Sequence, residues 1–288
     1  MSGLGGVGGF GGPGPEHAQA MLMVQHPLVE QVADARRRQR LRFRLTVVFV
    51  WLAIIAGVAA AIAAAGAWDW EFAFHYGPLI VLQGAGVTVL LSVTSIVIAT
   101  VLAVFGALGR LSSNPVLYGI AGFYVSLIRG TPLLVQIFFI YYALPRINED
   151  LFTWPAIAAG IVALSLNYGA YMTEIFRAGI QAVPRGQTEA AQALGIPERK
   201  LFRRIVLPQA IRIVTPAIGN DFVAMLKDSA LVSTISVHET LWLAQRFGRS
   251  EFEPVTAFLI AALVYWALTI VFSYFQERLE RRMARSDR

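Results

Sequence analysis

Long apolar segments separated by short charged blocks constrain this sequence more than any other feature. Of its 288 residues, 56% are hydrophobic and 15% are charged, whereas soluble domains carry roughly 25% charged residues. The apolar stretches are long enough to cross a hydrocarbon core of about 30 Å as helices. The pattern therefore predicts an all-α integral membrane protein whose segments share one helical bundle.

Six segments have the length and apolar composition of transmembrane helices. We predict spans over residues 45–67, 80–108, 116–144, 156–175, 207–226 and 255–275. The third span should be kinked or interrupted at residues 129–132, because Gly130 loosens a helix and Pro132 removes a backbone donor.

The region before the first span is polar, and its first 15 residues are rich in glycine. Such a composition buries too little apolar surface to offset the entropy of ordering, so residues 1–44 are predicted to form a disordered tail. Gly3, Gly5 and Gly8 have GxGxxG spacing, but no strand precedes them and the dinucleotide-binding interpretation is rejected. The apolar segment at 45–67 is too long for a signal-peptide core, which favours a retained helix.

Lysine and arginine fall mainly on one side of the predicted bundle. The basic residues of 36–44, of 177–212 and of the tail at 278–288 share a side if six helices alternate. The positive-inside rule makes that side cytoplasmic, so both termini are expected in the cytoplasm. This distribution also explains the formal charge of +6, and no nucleic-acid partner is expected.

The composition also excludes several kinds of chemistry. There are no cysteines and only four histidines, and none of the histidines has the HExxH spacing of a zinc site. The sequence contains no P-loop and no supported Ser/His/Asp set. We therefore predict that the chain is not an enzyme and needs neither a metal nor a cofactor.

The segment between the fourth and fifth predicted spans should fold into two short helices. Residues 187–194 are good helix formers, and Gly195 suits a C-terminal cap. Pro197 fits the first turn of a second helix, whose basic residues would lie at the lipid headgroups: Arg199, Lys200, Arg203 and Arg204. The small residues Ala190 and Ala191 would suit insertion into a groove of a partner, although an ordinary connecting helix fits equally well.

The spacing within this segment resembles a known motif. Glu189, Ala190, Ala191, Gly195, Ile205, Leu207 and Pro208 match the EAA motif of ABC importer permeases. The resemblance implies a coupling helix that docks into an ATP-hydrolysing subunit. The candidate coupling residues are Gln187, Glu189, Ala190, Ala191, Gly195, Leu207 and Pro208.

The resemblance narrows to the polar amino acid permeases, whose members carry histidine, arginine, glutamine, glutamate or cystine. It is carried by RGTPLLVQ at 129–136, AYMTEIFR at 170–177, PRGQ at 184–187 and LKDS at 226–229. It implies a five-helix permease domain at 78–277, to which the span at 45–67 is an addition. Ala230 departs from the family, which usually has a hydroxyl residue there.

This family resemblance implies alternating access in the bacterial cytoplasmic membrane. The expected partners are an ABC ATPase, a second permease subunit that is identical or paralogous, an extracytoplasmic amino-acid-binding protein and the lipid bilayer. The alternatives are a secondary transporter or channel that works without ATP and, less favoured, a membrane-embedded enzyme. A secondary transporter or channel has no use for an EAA-type cytoplasmic helix, and no catalytic constellation supports an enzyme.

Ionisable side chains within spans are functional candidates because burying them in a membrane is costly. Asp221, beside Asn220, could meet a substrate ammonium or an internal cation. Lys227 could bind a substrate carboxylate, or it could extend to the interface as long basic side chains do.

Two further candidates have competing structural interpretations. Glu174 and Arg177 are three residues apart and can pair on one helical face, and a structural or gating pair is favoured over substrate contact. Arg129 lies at the break in the third span and could line a path, but a kink required for packing is favoured.

Overall fold

The computed structural model describes the backbone of residues 15–284 and the side chains of residues 36–283. Within that range every regular element is helical, which confirms the predicted fold class. The chain divides into two units, Met1–Ala67 and Trp68–Arg288.

The first unit contains one long helix, α1 at Pro15–Ala64. Its apolar part, Arg36–Ala64, is long enough to cross a membrane and overlaps the span predicted at 45–67. The helix also includes residues 15–44, where a disordered tail was predicted. This difference has a compositional reason, because the segment is rich in Ala, Gln, Glu, Leu, Met and Arg, which are strong helix formers. The glycine-rich residues 1–14 lie outside the described residues.

The second unit is a bundle of long helices with short helical connections. In chain order its α-helices are α2 Trp70–Leu79, α3 Ala85–Leu111, α4 Pro115–Arg129, α5 Leu133–Phe138, α6 Leu144–Ile147, α7 Glu149–Phe152, α8 Ala156–Gln181, α9 Arg185–Ala193, α10 Glu198–Leu201, α11 Leu207–Asp228, α12 Thr240–Ser250 and α13 Pro254–Ala284. Wider π-helical turns join α2 to α3, α5 to α6 and α10 to α11, and a 3₁₀ segment, Ser229–Ile235, follows α11.

Among the described residues, four helical segments are long and apolar enough to cross a membrane. They are Arg36–Ala64, Trp70–Leu111, Ala156–Gln181 and Pro254–Met283. The bent pair Pro115–Arg129 and Leu133–Ile147 makes a fifth if it is one span, and its 106° bend lies at the predicted interruption. Five of the six predicted segments therefore correspond to candidate spans.

The remaining predicted span, 207–226, corresponds to α11 and differs from the prediction in its composition. Its 22 residues would extend about 33 Å, enough to cross the core. However, it carries Arg212, Asp221, Lys227 and Asp228 and is not among the apolar spans. Since α11 packs along α8 and α13, neighbouring helices shield part of it from lipid. A membrane-spanning role for α11 remains a prediction.

The centre of the bundle is the contact between α3 and α8, where small residues bring the helices close together. Ala99, Ala103, Ala163 and Ala170 are fully buried. Gly106 of α3 lies so close to Thr173 of α8 that an added Cβ would be 2.2 Å from the threonine Oγ1. Because apolar side chains gain little from leaving lipid, this close packing is the usual source of attraction between membrane helices.

A buried carboxylate, Glu239, ties α3, α12 and α13 together. It is 0% exposed and caps α12 by accepting a hydrogen bond from the backbone N–H of Trp242 at 2.8 Å. The hydroxyls of Thr88 on α3, at 3.4 Å, and of Tyr265 on α13 also donate to it. Burial raises the pKa of Glu239, and these hydrogen bonds oppose the rise. Glu239 is therefore a hydrogen-bonded structural residue that holds three helices together. Its role was not predicted from the sequence.

Candidate functional site

The helical hairpin formed by α9 and α10 contains the candidate coupling residues. Gly195 ends α9 with a positive φ of 70°. The Gly195 N–H donates to the carbonyl of Gln192 at 2.9 Å, and the Ile196 N–H donates to that of Ala191 at 3.0 Å. This pair of bonds is the Schellman cap. An added Cβ at Gly195 would meet nothing within 4 Å, so the glycine is required for its backbone conformation, as predicted.

Ala191 lies on the inner face of this hairpin. Its side chain is 3% exposed and belongs to a small core with Val183, Leu201, Val206 and Ala210. The interpretation that Ala190 and Ala191 together enter a groove of a partner is therefore wrong for Ala191. Its small size instead lets α9 close against the helix that leads into α11. An isolated sequence could not reveal this, because only the fold determines which face of α9 is covered.

The outer face of α9 is polar at its start and apolar at its end. Gln187, Glu189 and Ala190 are exposed, and Leu194 at the C-cap is 79% exposed. The sequence analysis treated Leu194 only as a helix former. The signal that it missed is a leucine directly before the cap glycine of an otherwise polar helix.

The hairpin connects directly to α11. The carboxamide N–H of Gln209 donates to the side-chain oxygen of Gln187 at 3.2 Å and to the carbonyl of Ile205 at 2.9 Å. Leu207 is half-buried, and Pro208 lies in the first turn of α11, directly after the π-helical turn. The coupling candidates therefore form one continuous structure with the helix that carries Asp221.

The break between α4 and α5 is stabilised by a buried amide. Pro132 is extended, with ψ of 139°, so the helical hydrogen bonds around it are lost. The Nε2 of Gln136 donates to the carbonyls of Ile128 at 2.7 Å and Thr131 at 3.1 Å, and to the Thr131 hydroxyl oxygen at 2.9 Å. One side chain thus replaces backbone partners that the bend removes.

Asn167 of α8 completes this network. Its Nδ2 donates to the Oε1 of Gln136 at 3.0 Å, and the two amides are 7% and 8% exposed, respectively. Arg129 lies at the same break but is exposed, with its guanidinium 5.1 Å from the ring centroid of Tyr171. The contact is a cation–π pair between α4 and α8. These contacts favour the packing interpretation of Arg129.

Asp221 lies in the middle part of α11 and differs from every group described above. The residue is half-buried, and its buried Oδ2 has no hydrogen-bond partner among the described residues. The adjacent Asn220 is exposed and accepts a hydrogen bond from Gln276 Nε2 at 2.9 Å. Asp221 is thus an acceptor that could hold a donor from outside the described chain.

The end of α11 has a contrasting aspartate. The hydroxyl of Tyr168 on α8 donates to Asp228 Oδ2 at 2.8 Å. Lys227 beside it is exposed, and within the described part of the chain no ion pair or hydrogen bond involves its side chain. The structure leaves both interpretations of Lys227 open.

Glu174 is paired as predicted, and with one more partner. Its Oε2 lies 2.7 Å from Arg177 Nη2, and its Oε1 lies 3.3 Å from the Nε of Arg110 on α3. The Arg110 guanidinium also lies 4.7 Å from the ring centroid of Tyr118 on α4. The cluster links three helices, which favours the structural or gating role. Arg110 was missed because it is 64 positions away from Glu174.

The five pathway candidates do not form one site. Asn220 and Asp221 are neighbours on α11, whereas Glu174 and Arg129 are engaged with other partners on other helices. In the described range, no hydrogen bond or ion pair joins Asp221 to Glu174, Arg129 or Lys227. Among the described residues, Asp221, with its unpartnered buried oxygen, and the exposed Lys227 are consequently the candidates with capacity for a ligand.

The chain matches known transport proteins over most of its length. Residues 95–285 match the family described as "Binding-protein-dependent transport system inner membrane component". The probable amino-acid permease protein YxeN of Bacillus subtilis is 36% identical over 204 residues, which cover 71% of this chain and 91% of YxeN. The L-cystine transport system permease protein TcyB of the same organism is 40% identical over 199 residues, covering 69% of this chain and 84% of TcyB.

A solved structure agrees with these sequence matches. The crystal structure of an amino acid ABC transporter with histidines contains a chain that is 37% identical to this one, with a TM-score of 0.70. The match covers 74% of this chain and 98% of the other.

Proposed function

This chain belongs to the binding-protein-dependent transport system inner membrane components, as an amino acid ABC importer permease, and from that premise we propose how its residues perform import. The homologues are transport permease subunits, not enzymes. In the proposal, this chain transmits force while a partner subunit hydrolyses ATP.

The outer face of α9 is the proposed docking surface for the ABC ATPase. The observation that carries this role is the exposure of Leu194, at 79%, beside the exposed Gln187, Glu189 and Ala190. Leu194 is an exposed apolar side chain at the end of a polar helix, and protein interfaces bury such apolar side chains within a polar rim. The buried Ala191 and the cap at Gly195 hold this face in shape.

The hairpin would transmit movement of the ATPase to α11. Gln209 bonds to both Gln187 and Ile205, so the start of α11 follows the hairpin. Movement of α11 would carry Asp221, which provides a mechanical link between nucleotide state and access to the pathway. Alternating access needs such a two-state element whose equilibrium the partner can bias.

The proposed substrates are polar amino acids, and the proposed ligand of Asp221 is the α-ammonium group or a basic side chain. The support for this assignment is the unpartnered buried oxygen of Asp221. A buried polar atom without a partner is costly, and a bound ammonium would remove that cost. Glu174, Arg110 and Arg177 would act at the end of the bundle as a gating or structural cluster.

The full transporter would contain two permease subunits, ABC ATPases and an extracytoplasmic binding protein in the cytoplasmic membrane. The positive-inside rule supports cytoplasmic termini and a cytoplasmic hairpin. Residues 45–67 would be an added span, and the tail at 278–288 would be cytoplasmic.

Co-purification of the ATPase with the permease tests the docking surface. Leu194→Ser should reduce the recovered ATPase about ten-fold, the usual scale for loss of an interface anchor. The matched control is Leu151→Ser on α7, which changes a leucine of 60% exposure on the proposed outer side. Equal ATPase recovery in both variants would contradict the docking role of Leu194.

A further inference from the structure

Four basic side chains surround one concavity at the foot of α11. Arg199 and Lys200 belong to α10, and Arg203 and Arg204 belong to the π-helical turn that follows. Together they line a cavity of about 480 Å³, and all four residues are exposed. We refer to these four residues as the basic cradle. The proposed coupling and pathway roles do not use it.

The four basic side chains lie on one side because the opposite face of the same segment is apolar. Leu201 and Val206 are 5% and 8% exposed and pack into the core beneath α9. The basic residues therefore lie on the opposite, exposed face of α10 and the turn that follows it. Arg199 and Arg203, like Lys200 and Arg204, are four positions apart, and like charges at that spacing repel each other. An anion between them would remove this repulsion.

The side chains described at residues 36–283 supply no anion to the cradle. Within residues 36–283, none of its four side chains has an ion pair or hydrogen bond to another described residue. Exposed arginines such as Arg185 and Arg249 are also unpaired within that range, so what distinguishes the cradle is that four cations line one cavity. Four uncompensated cations around one cavity therefore indicate an external anionic ligand.

The position of the cradle identifies the chemistry of that ligand. Arg203 and Arg204 precede the first residue of α11 by four and three positions, which corresponds to about 5–6 Å along a helix. A headgroup layer is of similar thickness, roughly 5–7 Å on each side of the hydrocarbon core. Basic pockets at the cytoplasmic end of membrane helices bind anionic lipid headgroups.

We propose that the basic cradle binds the phosphate of an anionic phospholipid in the leaflet that faces the ATPase. The choice of leaflet rests on the proposed function, whereas the site itself rests on the four side chains and their cavity. A lipid held there would contact the segment between the coupling hairpin and α11. The lipid phosphate would thereby neutralise positive charge on the segment that transmits movement from the hairpin to α11.

Lipid retention by the assembled transporter tests this site. The permease–ATPase complex is purified from nanodiscs of phosphatidylcholine containing phosphatidylglycerol, and the retained lipid is counted by native mass spectrometry. The double variant Arg203→Gln with Arg204→Gln should lower the affinity for phosphatidylglycerol roughly ten-fold or more, because each charge contributes about five-fold. The matched control is Arg278→Gln with Arg282→Gln, which removes two exposed charges from the end of α13, outside the cradle, and should lower retention less than the cradle variant does.

Equal lipid retention in the two double variants would overturn the proposal. Displacement of the lipid by inorganic phosphate at equal concentration would also overturn it, by assigning the cradle to a free anion. Loss of the ATPase with unchanged lipid retention would make the cradle a protein contact instead. Leu194→Ser should keep the lipid while losing the ATPase, which separates failure of this site from failure of the proposed docking surface. If the double variant is not recovered, the single variants Arg203→Gln and Arg204→Gln provide the same comparison.

Discussion

Polar groups lie inside the bundle at the break between α4 and α5 and in the middle of α11. Those at the break are hydrogen-bonded, whereas, within the described part of the chain, one on α11 is not. At the break, Gln136 donates to the carbonyls of Ile128 and Thr131, and Asn167 donates in turn to Gln136. On α11, the buried Oδ2 of Asp221 has no partner among the described residues. A satisfied network fixes a shape, whereas an unsatisfied acceptor retains capacity for a ligand. The comparison therefore separates residues that stabilise the fold from a residue that could contact a substrate.

Removing the amide at the break should produce the largest loss of stability. Gln136→Leu leaves the carbonyls of Ile128 and Thr131 and the amide of Asn167 without this partner, which should cost about 2–4 kcal/mol of unfolding free energy. Thermal unfolding in detergent measures this cost. The control Gln209→Leu, at a half-buried site, should cost less than about 1 kcal/mol. A loss for Gln136→Leu as small as that of the control would show that the network is not structural.

Neutralising Asp221 should lower amino acid uptake but leave stability almost unchanged. Asp221→Asn removes an unpartnered charge, so the unfolding free energy should stay within about 1 kcal/mol of the original value. Amino acid uptake should fall about ten-fold or more, as expected when a buried charged contact to the substrate is lost. The measurement pairs unfolding with uptake of acidic, amidic and basic amino acids.

Asp228→Asn is the matched control, because Asp228 already accepts a hydrogen bond from Tyr168. It should lose about 1 kcal/mol of stability through its weakened charge-assisted bond. If Asp221→Asn leaves uptake kinetics unchanged for every amino acid class, the pocket role of Asp221 is wrong.

Disrupting the Glu174 cluster should cause an intermediate loss of stability. Its side chains are 20–30% exposed, so solvent weakens the pairs, and Glu174→Gln should cost about 1 kcal/mol. A double-mutant cycle of Glu174→Gln with Arg110→Gln would measure the contact between α3 and α8 directly. A coupling energy of zero would remove Arg110 from the cluster and leave only the local pair with Arg177.

Asn220→Ala should have the smallest effect of the series. Asn220 is exposed and loses one hydrogen bond from Gln276, so stability should change by no more than about 0.5 kcal/mol. Uptake should remain within about two-fold of the original rate. A larger fall in uptake would extend the proposed pocket from Asp221 to its neighbour.

Local features of this protein were predictable from its sequence, and contacts between distant residues were not. Pro132 and Gly130 predicted the break in the third span, and Gly195 predicted the end of α9, because both effects act within a few residues. The partner of Gln136 is 31 positions away, on α8, and no local pattern indicates it. The inward direction of Ala191 likewise depends on the helix that folds back over α9.

The polar composition of α11 shows a second limit of sequence reasoning. Length and apolar composition placed a span at 207–226, yet the polar composition of α11 keeps it outside the apolar spans of the described structure. Its packing along α8 and α13 could be known only from the fold. The leucine exposed at position 194 was visible in the sequence, but its exposure was not.

We propose that this permease imports polar amino acids only when its hairpin is coupled to an ATPase. The most direct test is uptake of radiolabelled amino acids into proteoliposomes that contain the permease, its ATPase and its binding protein, with ATP on the ATPase side. We expect uptake of one class of polar amino acids that requires ATP and falls about ten-fold in Leu194→Ser. Uptake of equal rate without the ATPase would contradict the claim and identify a secondary transporter or channel.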